Sequence, residues 1–366
     1  MKIALVHDYL AQDGGAELVL RVFKDIWPEA PLFVLFYNKE GVPGFENTDI
    51  RESFLARIPF AKKHYQWFLP LMPVATEHHD LRGFDVVLSS TSAFAKGVIV
   101  DPDAIHICYC HTPTRYLWTD THDYISSLKY SRFIKVLLPR LLHKLRMWDR
   151  LSAERVDFFI ANSHTVAKRI QKYYGKKSHV IYPSIDTQAF RAIPQIAGES
   201  YYVVGGRLAA YKRFDLVIHV FNRLGWKLKV FGSGPRWWKD IKKNAKENIE
   251  FLGRISDKEK AELLLGAKGL IHPQEEDFGI MPIEAMASGC PVLAYKKGGA
   301  TESIVEDKTG MFFTLQNWES LYEALLLFDK KEWKREEIRE YSLKFDVENF
   351  KKQIQSFVEE KWRENI

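Results

Sequence analysis

The sequence predicts an α/β protein made of two doubly wound, parallel-sheet domains of the Rossmann-like kind. Three observations lead there. Short apolar runs alternate with amphipathic segments over almost the whole chain, the pattern of a parallel sheet covered on both faces. The alternation occurs twice, on either side of a break at Pro183–Ser200 that is rich in polar and turn residues. The 366 residues are enough for two domains with a core each. The expected boundaries are 1–183, 184–345, and a terminal helix over 346–366 that packs back on the first domain. The strand carboxyl ends of two such domains are expected to border a cleft.

Taken in order, Lys2–His7, Leu32–Tyr37, Phe84–Ser89, Gly97–Val100, Ile105–Cys110, Phe158–Ala161 and His179–Tyr182 read as buried strands. The second series runs Tyr201–Val204, Leu228–Phe231, Ile249–Leu252, Gly269–His272, Val292–Tyr295 and Gly310–Phe313. Helical spacing fills the gaps, for example over Glu17–Asp25, Phe214–Leu224 and Lys258–Ala267. Pro282 suits a first helical position and Gly289 a helix end, which would put Glu284 in the first turn. Phe350, Ile354, Phe357 and Val358 mark a last helix over Val347–Trp362.

Composition narrows the class. A hydrophobic fraction of 46% and a charged fraction of 27% are ordinary for a globular protein. Three cysteines are too few for a disulfide framework and suggest a reducing compartment. No apolar run approaches the roughly 18 residues of a membrane span, and the start is too short for a signal peptide. The expectation is a cytoplasmic protein. The net charge of +6 suits an anionic ligand or surface. The basic runs lack a recognised nucleic-acid module, so a nucleic-acid role is not expected.

The segment from Pro273 to Gly289 carries the strongest chemical signal. Glu276 sits just past a strand's carboxyl end, where ligands lie in open α/β sheets. Glu284, if ionised, accepts two hydrogen bonds and suits a vicinal diol such as a ribose. Spacing alone also fits two surface acids. Arg207 and Lys212 leave the end of the second domain's first strand and suit a diphosphate, Arg213 being an alternative to Lys212. Solvated surface charge is the competing reading. Gly14 and Gly15 at a helix entry let an anion approach backbone N–H groups, though an unliganded glycine turn reads equally well. Gly232, in Phe231-Gly-Ser-Gly-Pro235, and the run Lys297–Glu302 repeat that loop type.

Together, Gly206-Arg-Leu…Lys212, Phe231-Gly-Ser-Gly-Pro235, Glu276-Asp-Phe-Gly-Ile-Met-Pro-Ile-Glu284 and Gly298-Gly-Ala-Thr-Glu302 resemble glycosyltransferase family 4, retaining enzymes of the GT-B fold. Gly14-Gly15, Ala161-Asn-Ser163 and Tyr182-Pro-Ser-Ile-Asp186 match more loosely. Ile280 and Met281 depart from the usual leucine and small residue and leave the carboxylates in place. The resemblance implies that Glu284 holds the ribose of a nucleotide sugar, with Glu276 at the donor sugar and Arg207 and Lys212 on the diphosphate. It implies Gly15 and the Gly299–Glu302 amides at the phosphates, the base near Gly253-Arg254-Ile255, and Phe278, Gly279 and Ile280 completing the donor loop. His111 matches the first-domain histidine beside the donor sugar. Glu276, His111, Arg207 and Lys212 are thus the expected catalytic set. Tyr109–Trp118 resembles bacterial mannosyltransferases that use GDP-mannose for surface polysaccharide.

By its own residues, His111 follows a buried strand into a Pro-containing loop and reads as cleft-facing or as a hydrogen-bonded structural histidine. Cys108, Cys110 and His111 cannot close one tetrahedral metal site from a single strand. Asp101-Pro-Asp103 reads as a turn, and no cofactor or metal is expected. The expected reaction is retaining transfer of a hexose, mannose first, from a nucleoside diphosphate sugar to a lipid-linked or oligosaccharide acceptor. Sugar-nucleotide epimerisation, or binding without catalysis, is the alternative. Two basic amphipathic stretches, Arg57–Leu71 and Lys129–Arg146, read either as an anionic membrane surface's partners or as core-facing helices with solvated cations.

Overall fold

The computed structural model describes residues 1–119, 121, 132–191, 200–232, 234 and 238–365. The chain divides into two compact units, Met1–Tyr182 with Phe350–Ile366, and Pro183–Asn349. Part of the polar break, residues 192–199, lies outside the described residues, as do Ser233 and Pro235 of one glycine loop.

Among the described residues the first unit holds β1 (Ile3–His7), β2 (Leu32–Val34), β3 (Ile50–Glu52), β4 (Val86–Thr91), β5 (Ile105–Cys110), β6 (Phe158–Ala161) and β7 (Ser178–Val180). They pair in the order β3-β2-β1-β4-β5-β6-β7, every pair parallel. The fully buried strands β1, β4 and β5 are the near-continuous apolar runs expected of a sheet covered on both faces. Two expectations fail. Gly97–Val100 is not a strand: Ala95–Gly97 is a 3-10 turn, and the Trp148 ring lies 2.4 Å from where a Cβ on Gly97 would stand. β3 escaped notice because Ile50-Arg51-Glu52 is half-exposed and carries a single apolar residue. Asp101–Asp103 is a turn, with the Asp101 carbonyl accepting from Ala104 N at 3.0 Å.

Helix α1 (Gly15–Ile26) buries Val19, Leu20 and Phe23 against this sheet. The last helix, Val347–Asn365, spends Phe350, Ile354 and Val358 on the same core. Phe350 stacks on Phe23 at 6.2 Å and meets Tyr109 edge-on at 5.8 Å. Three side chains buried at i, i+4 and i+8 are worth several kcal/mol to that unit, at about 1.5–3 kcal/mol each.

The second unit holds β8 (Tyr202–Gly205), β9 (Leu228–Phe231), β10 (Ile249–Gly253), β11 (Gly269–His272), β12 (Val292–Tyr295) and β13 (Gly310–Phe313). Their order is β10-β9-β8-β11-β12-β13, again all parallel. Helix α2 (Phe214–Leu224) buries six apolar side chains and ends at Gly225 in the left-handed conformation. Helix α3 (Asp257–Gly266) starts in a capping box between Ser256 and Glu259.

In each unit the strand order reverses once, between β1 and β4 and between β8 and β11. At such a reversal adjacent crossovers go to opposite faces and open a crevice at the strand carboxyl ends, the binding position of doubly wound sheets.

Candidate active site

In the second unit that position is occupied by the residues singled out in the sequence. β8 leads into Gly206, Arg207 and Lys212, and β11 leads into Pro273–Phe278. The Lys212 ammonium stands 2.6 Å from Glu276 Oε1, with both side chains mostly buried. Burial works to raise the Glu276 pKa, but Lys212 and His272 beside it more than offset this and leave the carboxyl below its usual value. The Glu276 carboxyl is therefore ionised at neutral pH. Gly206, at φ +119, lets the ammonium pass: a Cβ there would stand 3.2 Å from Nζ. Arg213 is not an alternative to Lys212, since its guanidinium pairs with Asp215 at 3.2 Å. Arg207 is exposed at the mouth of the same loop.

Glu284 lies on helix α4 (Ile280–Ala287), which begins two residues earlier than expected. Gly279, at φ +89, makes the turn into it, and Pro282 is its third residue. First-turn N–H groups lack intrahelical partners, so proline costs nothing there. Glu284 consequently falls in the second turn, where the dipole does little for it. Its charge is balanced by Lys260 of α3, whose Nζ is 2.7 Å from Oε1 and 2.9 Å from Asp257 Oδ1. Burial lowers the Lys260 pKa, but Glu284 and Asp257 outweigh it and hold the ammonium above its usual value. Lys260 escaped the sequence reading. Its only local signal is its place in the first turn after the Ser256 cap, and nothing nearby in sequence says that Glu284 is opposite.

Two of the glycine loops make close backbone approaches. A Cβ on Gly232 would stand 1.9 Å from the Gly206 carbonyl, so Gly232 is required by that approach. Gly299 N donates to the Glu276 carbonyl at 2.9 Å, and the Thr301 and Glu302 amides bond back to Gly298 and Gly299. Three of the amides expected at a phosphate are thus already committed, and this loop instead holds the Glu276–Phe278 segment in place. Phe278 is buried against Phe345. Ile280 is half-buried, as is Ile255, beside an exposed Arg254 after β10.

In the first unit His111 follows β5 and its Nε2 lies 2.8 Å from Ser90 Oγ at the end of β4. Burial and the neighbouring His7 push its pKa down to about 4. The Cys108 thiol, fully buried on the same strand, is pushed up to about 12. Gly15 opens α1 after an extended Gly14. Glu17 Oε2 lies 3.2 Å from the Cβ position of Gly14, so an acid already borders that helix entry.

Two all-parallel sheets of this order belong to the GT-B fold, as the solved likenesses show. They include sucrose-phosphate synthase of Thermosynechococcus elongatus, at TM-score 0.75 and 15% identity over 99% of this chain and 100% of that one. Another is HepE of Anabaena in complex with UDP, at TM-score 0.71 and 18% identity over 98% and 100%. Residues 27–189 match the family described as Glycosyltransferase Family 4, and residues 186–345 match Glycosyl transferases group 1. The alpha-1,3/1,6-mannosyltransferase alg2 of Schizosaccharomyces pombe is 35% identical over 85% of this chain and 70% of its own length. The chain belongs to glycosyltransferase family 4. The O-antigen chain mannosyltransferase RfbU of Salmonella typhimurium is 26% identical over 58% of this chain and 62% of its own length. Against mouse ALG2 and two further relatives, the chain spans 46%, 60% and 51% of their lengths, about half.

Proposed function

We propose that the protein transfers a hexose, mannose first, from a nucleoside diphosphate sugar to a saccharide or lipid-linked acceptor, with retention and without a metal ion. The observation that carries this is the Lys212–Glu276 pair at the reversal of the second sheet, eight residues before the Lys260-balanced Glu284. Glu284 takes ribose hydroxyls. Glu276 takes the donor sugar. Arg207 and Lys212 stabilise the charge that builds on the departing diphosphate, the electrostatic contribution that usually dominates. The acceptor hydroxyl attacks from the same face and its proton passes to the leaving phosphate; a covalent sugar on Glu276 is the competing course. His111 is the first-unit residue we assign to the donor sugar. The relatives' names support mannose, and GDP-mannose is the donor proposed. The same names do not favour the epimerase or binder readings.

The test incubates the protein and EDTA with GDP-mannose or UDP-glucose, with and without a lipid-linked saccharide. Acceptor-dependent release of GDP and an equatorial anomeric proton in the product, the α configuration of the donor, are expected. UDP release alone would instead favour a UDP-sugar, the reading that the UDP complex of HepE suggests. Release without acceptor, or none in EDTA, refutes the proposal.

The exposed-aromatic signature of membrane contact is carried by one of the two basic segments. The described part of Lys129–Arg146 lies in the helix Arg132–Glu154 and buries Leu138, Leu142 and Leu145; residues 129–131 lie outside the described residues. Arg57–Leu71 is not a single helix but two 3-10 turns, Phe54–Arg57 and Tyr65–Leu71. Leu55 and Ala61 face the core, while Phe60 and Trp67 are exposed beside Arg57, Lys62 and Lys63. Exposed aromatics among cations suit an anionic lipid surface. Among the described residues no helix is long and apolar enough to cross a membrane. Sedimentation with anionic but not neutral liposomes, lost in a Phe60→Ser/Trp67→Ser variant, is the expected result.

A further inference from the structure

A line of polar side chains runs behind His111 in the first unit. Parallel pairing sets His7, the last residue of β1, opposite Ser90 of β4, and Ser90 opposite Tyr109 of β5. His7 Nδ1 lies 3.2 Å from Ser90 Oγ, and Ser90 Oγ lies 2.8 Å from His111 Nε2. On the far side, His7 Nε2 is 3.6 Å from Glu17 Oε1 of α1. Ser90 is fully buried, and both imidazoles nearly so. Among the described residues His111 Nδ1 has no hydrogen-bond partner.

We propose that Glu17, His7 and Ser90 form a positioning relay that holds His111 as the tautomer with its proton on Nδ1. His111 then meets the donor substrate as a hydrogen-bond donor to a sugar or phosphate oxygen. A hydroxyl has one proton to give. When His7 is protonated, its Nδ1–H donates to Ser90 Oγ. Ser90 must then donate to His111 Nε2, and the His111 proton is left on Nδ1. When His7 is neutral with its proton toward Glu17, both bonds of Ser90 Oγ reverse and Nδ1 of His111 becomes a bare acceptor.

The surrounding charges select the first state. Facing His7 are Glu17 from α1, Asp8 from its own loop, and Ser90 and His111 from the neighbouring strands. Burial opposes a charge on His7, but Glu17 and Asp8 outweigh it and its pKa is raised. Asp8 is not a competing proton acceptor. Its carboxylate already takes the Thr91 hydroxyl and the N–H groups of Ser92, Ala93, Phe94 and Ala95, at 2.6–2.9 Å. The Tyr109 hydroxyl is likewise committed, to the Ile181 carbonyl. The catalytic use of the relay rests on the transferase reading. The tautomer does not.

The experiment is nitrogen NMR of the histidine rings in the full, ligand-free chain labelled with 15N-histidine. At pH 6 both His7 nitrogens are expected to be protonated, with His111 protonated on Nδ1 alone. Raising the pH through the His7 transition should move the His111 proton to Nε2 with the same midpoint. That titration requires no variant. Glu17→Gln should shift the common midpoint downward, and Ser90→Ala should uncouple the two rings. A His111 proton on Nε2 at pH 6, or two independent midpoints, overturns the relay. If the NMR result holds while the protein transfers no sugar, the transferase reading fails alone. If transfer holds, its kcat in wild type but not in Ser90→Ala should fall at the NMR midpoint, with donor KM little changed.

Discussion

At the scale of single residues, the site depends on charges that compensate one another. Lys260→Met leaves Glu284 mostly buried and unpaired. Such a change costs on the order of 3 kcal/mol. Adding Glu284→Gln removes the stranded charge and should restore most of the loss, as read by the midpoint of urea unfolding. The kinetic consequences separate the two carboxylate-and-cation groups. Glu284→Ala should chiefly raise donor KM. Arg207→Ala should lower kcat by roughly 10²–10³, the usual loss for one donor to a developing oxyanion. Equal turnover in both variants contradicts the assigned roles. Residue types made these positions stand out in the sequence, since a glutamate pair and two cations beside strand ends are visible in one dimension. Lys260, Ser90 and His7 are not legible in the sequence, because the contacts Lys260–Glu284, Ser90–His111 and His7–Ser90 each join residues at least 21 positions apart.

At the scale of elements, loops are set by close backbone approaches. Gly232 combines φ +126 with a Cβ position 1.9 Å from a carbonyl oxygen, whereas Gly225 has φ +71 and open space around it. Gly225→Ala should therefore cost about 1 kcal/mol, the left-handed penalty alone. Gly232→Ala should cost at least about 2 kcal/mol more, since backbone must move. Differential scanning calorimetry of the two variants measures the gap. Sequence marks where a side chain is not tolerated, but the neighbour that forbids it lies on another strand. The start of α4 was misplaced similarly, because Gly279 rather than Pro282 makes the turn.

At the scale of the whole molecule, pH acts unequally on the two units. Burial pushes His79 and His111 down to about 4 and His106 to about 3 in the first unit, and His272 to about 4 in the second. A histidine with a depressed folded pKa contributes stability that is full above its unfolded value near 6.5 and is lost as pH falls toward the folded value. His7, with a raised pKa, acts in the opposite direction: its contribution is full below 6.5 and lost as pH rises through its folded value. Acid between pH 6.5 and 4 should therefore open the first unit before the second. Hydrogen exchange of peptides from 1–182 and 183–349 at pH 7 and pH 5 tests that order. The last helix belongs to the same balance. Phe350→Ala should cost about 3–5 kcal/mol and raise exchange in the first unit, although the residue lies 168 positions beyond Tyr182.

Read alone, the order of residues defines the α/β class, most strands of both series, and the places of Glu276, Arg207, Lys212 and His111 beyond strand ends and of Glu284 on the helix that follows. These follow from periodicity and residue type, which are local properties of the chain. Which charges meet is set by the folded arrangement: Lys212 with Glu276, Lys260 with Glu284, and Glu17 through His7 and Ser90 with His111. Those pairings arise from strand order and register, and parallel neighbours are brought together by crossovers that erase any trace of proximity in sequence.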